Sequence, residues 1–495
     1  MRTRTWVIWL AAASFAILAA GCTDERGVEP PITTGGGGSS TNLVDPELVA
    51  GQIVEASGWQ FDPDVELPAQ LGLLQDKSLC NDILDMTRET LVGDVAHYAW
   101  TIPVGPGPHD IIRLHRVVRE RDPYRPCPTP DSIFLQHGDA VGFVKFLFGP
   151  AAPSAPDDHA AAIYLAQNDV DVWGIDQNWA LVPAGTSDFS FMAGWGMDNQ
   201  IANLRVGLAV ARLVRAFTGG GFDRMHLLGY SSGGWLGFAY LNDEVMRPKP
   251  ERHVRGFVNA DASFKCGPDD EAGRLLRCAQ VADYRQQFES GVYGFAPGFV
   301  EIGGLALADP DGPSPLIPGL TNRQAVLFLV TASWRVAPIL PWWHYWGGVF
   351  DGDPEDPASL PVDTRFQPLD YALEFMVAGA PFQAVRFVFD YNMITCDEED
   401  VPWDDNLSRI TIPILNLGAV AGLAPSAEHT LSLLGSTDIQ HVIASELPPE
   451  RRYEDWGHID IWTATHAQQL VWEPLLQWIR DHRGREGSAG LAAVH

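Results

Sequence analysis

The stretch Met225-His226-Leu227-Leu228-Gly229-Tyr230-Ser231-Ser232-Gly233-Gly234-Trp235-Leu236 decides the reading of this chain. Its first four residues predict a short buried strand, and a helix is expected from about Gly234 to Asp243. Between them lies Gly229-Tyr230-Ser231-Ser232-Gly233, a G-x-S-x-G. Small residues there permit a strained turn that projects Ser231 Oγ from the edge of a sheet. The helix that follows points its N-terminus at the same place, which favours negative charge developing there. The plain alternative is a Gly-Ser turn with no chemical role. The motif gains specificity only from its strand–turn–helix context and from partners in the right order.

Working outward, the context repeats. Ser132 to Gln136 and Val170 to Gly174 are strand-like, and Ala160 to Asn168 is helical. Apolar residues recur at helical spacing from Asp198 to Ala216, and that run stops at Gly219-Gly220-Gly221. Val254 to Ala260 is another strand, ending at Asp261. Alternating strands and helices predict an α/β fold, a mostly parallel sheet flanked by helices on both faces. After Asp261 the rhythm breaks, through residues rich in aromatics, Pro and Gly, and resumes near Ile412. Strands from Ile412 to Leu417 and from Ile439 to Ala444 then precede a closing helix from Gln468 to His482. This predicts one core in two parts, 46–264 and 408–485, interrupted by a cap insertion at 265–407, with a tail at 486–495.

The 495 residues include 33 Lys and Arg against 63 Asp and Glu, a net charge of −30. An acidic surface repels phosphate, so nucleic acid is excluded as a partner. A hydrophobic content of 46% excludes whole-chain disorder. At the start, Arg2 and Arg4 precede an apolar run from Trp6 to Ala20, then Gly21-Cys22. That pattern predicts a signal peptide over 1–21. The small residues before Cys22 resemble a bacterial lipoprotein processing site, which implies an exported protein lipidated at Cys22 and anchored to the cell envelope, on its periplasmic or outer side; an ordinary secreted protein is the alternative. Residues 22–45, with Gly35-Gly36-Gly37-Gly38-Ser39-Ser40, read as a flexible tether.

Two further segments fit the chemistry of a serine nucleophile. His458, in Trp456-Gly457-His458-Ile459-Asp460, follows the last strand and is placed to be a general base. His137-Gly138-Asp139 follows the first clear strand; its glycine lets backbone approach a carbonyl, and the Asp139 amide N–H is a candidate oxyanion donor. Ser232 supplies the second N–H, since a tetrahedral intermediate places full charge on one oxygen. On this reading the Asp139 side chain is incidental.

With these residues in order, the chain resembles the α/β-hydrolases, and among them the acid-lipase branch. Asp110 to Arg116, Phe134 to Gly138, Asp171-Val172-Trp173, Ser231 and His458-Ile459-Asp460 follow that family's order. The resemblance implies a serine esterase or lipase whose insertion caps the site, working without metal or organic cofactor on a small-molecule ester. The nucleophile motif departs from that branch: Gly-Tyr-Ser-Ser-Gly stands where Gly-His-Ser-Gln-Gly is usual. The acid departs too. In the loop after the penultimate strand, Gly418-Ala419-Val420-Ala421-Gly422, the expected acidic position holds Ala421. Asp261, at the end of the preceding strand, is the expected substitute, with Glu428 in reserve. The same triad would cleave amides, which makes a serine peptidase or amidase the alternative. A catalytically silent surface binding lipoprotein is the alternative from another class.

In the insertion, Trp334, Trp342, Trp343, Tyr345 and Trp346 either line an apolar acyl pocket or form the cap's own core, with His344 structural. The acidic stretches 351–356 and 397–400 lack calcium-loop spacing and read as solvated loops. Cys266 with Cys278 and Cys80 with Cys127 are the expected disulfides, leaving Cys396 free.

Overall fold

Six of the strands expected from the alternation fall into a single sheet in the computed structural model, which describes residues 44–59, 83–337 and 339–484. The strands along its path are β1 (Asp85–Val92), β2 (Val95–Pro103), β3 (Ile111–Asp122), β4 (Asp131–Gln136), β5 (Val170–Asp176), β6 (Met225–Tyr230), β7 (Val254–Ala260), β8 (Ile414–Ala419) and β9 (Ile439–Ala444), and the two-residue strand Arg125–Pro126 pairs with β3 off that path. They lie in the order β1-β2-β3-β5-β4-β6-β7-β8-β9. From β5 to β9 every pairing is parallel, whereas β1, β2 and β3 pair antiparallel and β3 runs antiparallel to β5. The expected α/β class with a mostly parallel sheet is therefore the observed one.

Alternation along each central strand explains why the sheet is covered on both faces. Phe134, Trp173, Leu227 and Phe257 belong to one buried cluster, with α1 (Pro46–Ala56), α3 (Met197–Phe217) and α4 (Ser232–Glu244). Their neighbours Ile133, Val172, Leu228 and Val258 belong to the other, with α2 (Ala161–Gln167) and α10 (Glu473–Asp481). Register then sets the site. Gln136 pairs with Gly229, Tyr230 with Ala260, and Ala260 with Leu417. The residues just past β4, β6, β7 and β8 therefore emerge together at the carboxyl edge of the sheet, beside the point where strand order reverses.

Between β7 and β8 the chain forms α5 (Glu271–Glu289), α6 (Phe299–Ala308), α7 (Asn322–Thr331), α8 (Leu369–Val377) and α9 (Val385–Cys396). Two small sheets join them, Gly348–Phe350 with Pro361–Thr364 and Gly294–Phe295 with Gln383–Ala384. Thr321 and Gln324 form a reciprocal capping box that starts α7.

The disulfide differs from the expectation. Cys278 is bonded to Cys396 across 118 residues, and Cys266 has a free thiol. Cys278 lies two turns inside α5 and packs with Val281 and Phe389 against α9, so helix packing, not sequence proximity, selects its partner. Cys127 is unbridged among the described residues, and Cys80 lies outside them. Residues 1–43, with the expected signal peptide and Cys22, also lie outside the described residues. No helix among the described residues is long and apolar enough to cross a membrane.

Candidate active site

Ser231 follows β6 with φ +54° and ψ −129°, a conformation that non-glycine residues rarely adopt. Its N–H donates to Ala260 O at 3.0 Å, and its carbonyl accepts from Gly234 N at 2.7 Å, so the turn is pinned on both sides. Helix α4 starts at Ser232, directly behind it.

Gly138 sits against this turn: a Cβ there would lie 2.6 Å from Ser231 Cβ. Only glycine allows that approach. His137, fully buried, holds the same loop. Its Nε2 accepts from Gln177 N at 3.0 Å, which leaves Nδ1–H to donate to Gly138 O at 2.9 Å. Burial pushes the ring below the ordinary histidine range, in keeping with a neutral tautomer. Among the described residues, no acceptor takes the main-chain N–H of Asp139 or of Ser232.

The side chain of Asp139 is not incidental, contrary to the sequence reading. It accepts from Ser232 Oγ at 2.8 Å, Gln383 Nε2 at 2.9 Å and Tyr391 OH at 2.8 Å. Burial raises its carboxyl above the usual aspartate range, against the pull of the Ser232 and Tyr391 hydroxyls. Gln383 and Tyr391 lie 244 and 252 residues downstream, and no motif in the sequence signals them.

His458 and Asp261 meet directly: Nδ1 lies 2.5 Å from Asp261 Oδ2. Both are buried, at 4% and 0% exposure. The imidazole stacks on the ring of Tyr230, the residue before Ser231, with centroids 4.9 Å apart. Tyr230 OH also donates to His458 O at 3.3 Å. The loop is held from above by the insertion, since His458 N donates to His344 O at 2.9 Å and Ile459 N to Tyr345 O at 2.8 Å.

Asp261 has φ +51° and turns its carboxylate under the loop that follows β8. Oδ1 accepts from Ala419 N at 3.1 Å and Ala424 N at 3.0 Å, and Oδ2 from Leu423 N at 3.0 Å. A Cβ on Gly418 or Gly422 would lie 2.2 or 2.1 Å from an Asp261 oxygen. The loop that lacks a carboxylate at Ala421 is thus a cradle of amides for the carboxylate of the neighbouring strand. The paired glycines of Gly-Ala-Val-Ala-Gly were the sequence signal for it. Glu428 lies away from His458, with its side chain 73% exposed and 3.6 Å from His441.

The aromatic cluster of the insertion divides. Trp343 and Tyr345 stand 6.0 and 6.5 Å from the His458 ring. Trp346 instead is fully buried, stacks with Phe299 and donates to Thr463 Oγ1 at 2.9 Å. His344 is structural in its contacts, with its ring between Trp342 O and Asp455 O.

No protein-family model matches the sequence, and no curated protein is significantly similar to it. Solved structures are similar. A candidate lipase from Sulfolobus solfataricus superposes with TM-score 0.51 at 17% identity, over 86% of this chain and 99% of that one. A soluble variant of monoglyceride lipase from Saccharomyces cerevisiae, in complex with a substrate analogue, gives 0.41 at 12% identity, over 82% and 97%. An esterase from Exiguobacterium antarcticum gives 0.38 at 13%, over 75% and 96%. With the strand order, the turn at Ser231 and the first of these superpositions, the chain has the α/β-hydrolase fold.

Proposed function

We propose that the protein is an exported serine hydrolase that cleaves carboxylic esters through Ser231, His458 and Asp261. The observation that carries this reading is the His458–Asp261 pair at the sheet edge, beside a strained turn bearing Ser231. Asp261 accepts the hydrogen bond of the Nδ1–H of His458, which leaves Nε2 to accept the proton of Ser231 as its hydroxyl attacks the carbonyl. The oxyanion of the tetrahedral intermediate is met by the N–H groups of Asp139 and Ser232, which have no acceptor of their own among the described residues. His458 then returns the proton to the leaving alcohol. The acyl group stays on Ser231 until water, deprotonated by His458, releases the acid.

Residues 265–407 are the cap on this reading, and Trp343 and Tyr345 its contribution to the wall near His458. Aromatic walls favour apolar acyl or alkyl groups, and a net charge of −30 disfavours polyanionic substrates, so neutral or apolar esters are the substrate class. Export and attachment through a lipid on Cys22 belong to the same proposal and rest on the sequence. Metabolic labelling with a radioactive fatty acid, lost in Cys22→Ala, would test the anchor.

The activity is tested with a graded series of p-nitrophenyl esters, short to long acyl. Turnover that vanishes in Ser231→Ala is expected; equal turnover by the two proteins would contradict the reading.

A further inference from the structure

The carboxylate of Asp139 sits where a negative charge is costly, next to the place where the proposed reaction develops its own. What it does there is visible in its partners. Ser232 and Asp139 are the two residues whose main-chain N–H groups are assigned to the oxyanion. Their side chains bond to each other, Ser232 Oγ to Asp139 Oδ1 at 2.8 Å. A carboxylate accepts several donors at once and offers none. Here it also takes Gln383 Nε2 at 2.9 Å and Tyr391 OH at 2.8 Å.

Both of these partners come from the insertion. Gln383 grips the loop twice, because its Oε1 accepts from Ala140 N at 3.4 Å while its Nε2 donates to Asp139. Ala140 has φ +56°, a strained value for alanine, and its carbonyl accepts from Ala380 N at 3.0 Å. Tyr391 lies in α9, which the Cys278–Cys396 bridge joins to α5. A loop with a strained residue keeps its geometry only where its surroundings over-determine it, and the segment 380–391 supplies those surroundings.

We propose that Asp139 is a positioning residue: its carboxylate locks the two oxyanion donors to each other and makes their geometry depend on docking of the segment 380–391. The inference rests on the ester-hydrolase reading and adds a control to it, since loosening that segment would disable the oxyanion site without touching Ser231, His458 or Asp261.

The test uses the full chain and its Asp139→Ala, Asp139→Asn, Tyr391→Phe, Gln383→Ala and Ser231→Ala variants. It compares kcat, KM and inhibition by benzeneboronic acid, which forms a tetrahedral adduct on a serine. Asp139→Ala is expected to lower kcat by about 30-fold or more and to weaken the boronate by a similar factor, with KM changed less than about threefold. Asp139→Asn should recover part of the loss, because its amide oxygen still accepts from Ser232 and Gln383 while its NH2 cannot accept from Tyr391. Tyr391→Phe should lose about three- to tenfold in kcat. An Asp139→Ala protein with wild-type kcat and boronate affinity overturns the proposal. If that variant does not fold, wild-type kcat in both Tyr391→Phe and Gln383→Ala overturns it instead. Ester turnover that survives in Ser231→Ala removes the hydrolase reading and this proposal together. Ser231-dependent turnover with unaffected Asp139 variants removes this proposal alone.

Discussion

Asp261 and His458 are 197 residues apart in sequence, yet the carboxylate Oδ2 lies 2.5 Å from the imidazole Nδ1. The carboxylate starts from the end of β7, and the loop after β8 encloses it with the N–H groups of Ala419, Leu423 and Ala424. Such donors fix the direction of the carboxylate, so the imidazole has one orientation to adopt.

Removing that charge while keeping the shape is the first test. Asp261→Asn is expected to lower kcat by about 10³- to 10⁴-fold with little change in KM, because the imidazole would be left in the wrong tautomer. Glu428→Gln should leave kcat within about twofold, as its side chain is 73% exposed and its ion-pair partner among the described residues is His441. Steady-state kinetics of both variants on one ester checks the pair. A larger loss in Glu428→Gln would move the acid.

Gly422→Ala tests the cradle without altering any titratable group. The added methyl would lie 2.1 Å from an Asp261 oxygen, so either the carboxylate or the loop must shift. A fall in kcat of about tenfold or more is expected, since misplacement by an ångström at a catalytic group is that costly. A variant with full activity would show that the loop yields freely and does not set the carboxylate.

A pH-dependent stability term follows from Asp460. It is fully buried and accepts from Gly347 N and Gly457 N, both at 2.7 Å. Burial pushes its carboxyl up to about 8 from an ordinary 3.8, outweighing those two donors. The folded state therefore keeps a proton that the unfolded state releases above about pH 4. Its stabilising contribution is complete below that pH and is lost as pH rises towards about 8. Thermal melts of wild type and Asp460→Asn from pH 5 to 8 should show the wild type losing Tm faster. Parallel curves would contradict the assignment.

How much of this was legible in the sequence depended on locality. The Ser231 turn was readable because strand, glycines and helix are contiguous. Strands β4 to β8 were readable because both faces are buried and their apolar runs are short, whereas β9, at the other sheet edge, is only partly buried and was readable from Val442-Ile443-Ala444. The antiparallel β1 to β3 were not read as strands. β1 lies at the sheet edge and is largely exposed, with Thr87, Arg88 and Glu89 in its middle. β3 carries Arg113, His115 and Arg116, polar side chains whose partners lie on other strands: His115 Nε2 is 3.0 Å from Asp176 Oδ2, and Arg116 bonds Asp171 twice at 2.9 Å. Asp261 could be named from the resemblance, since some α/β-hydrolases take the acid from the end of the preceding strand, but its amide cradle required β7 and β8 to be neighbours. The partners of the Asp139 side chain were invisible, because Gln383 and Tyr391 reach it only through the packing of the insertion.

The disulfide is a separate test of that packing. Peptide mapping without reduction should link Cys278 to Cys396 and leave Cys266 open to alkylation. Burial pushes the Cys266 thiol up to about 11, so its alkylation at neutral pH should be slow. A Cys266–Cys278 peptide would show that α5 and α9 are not joined as described.

The central claim is that Ser231 is the nucleophile, and a covalent probe reads it most directly. The wild-type protein, treated with a fluorophosphonate and digested, should carry the phosphonyl group on the peptide containing Ser231, with labelling abolished in Ser231→Ala. An unlabelled wild type, or a label elsewhere that persists in Ser231→Ala, would contradict the account.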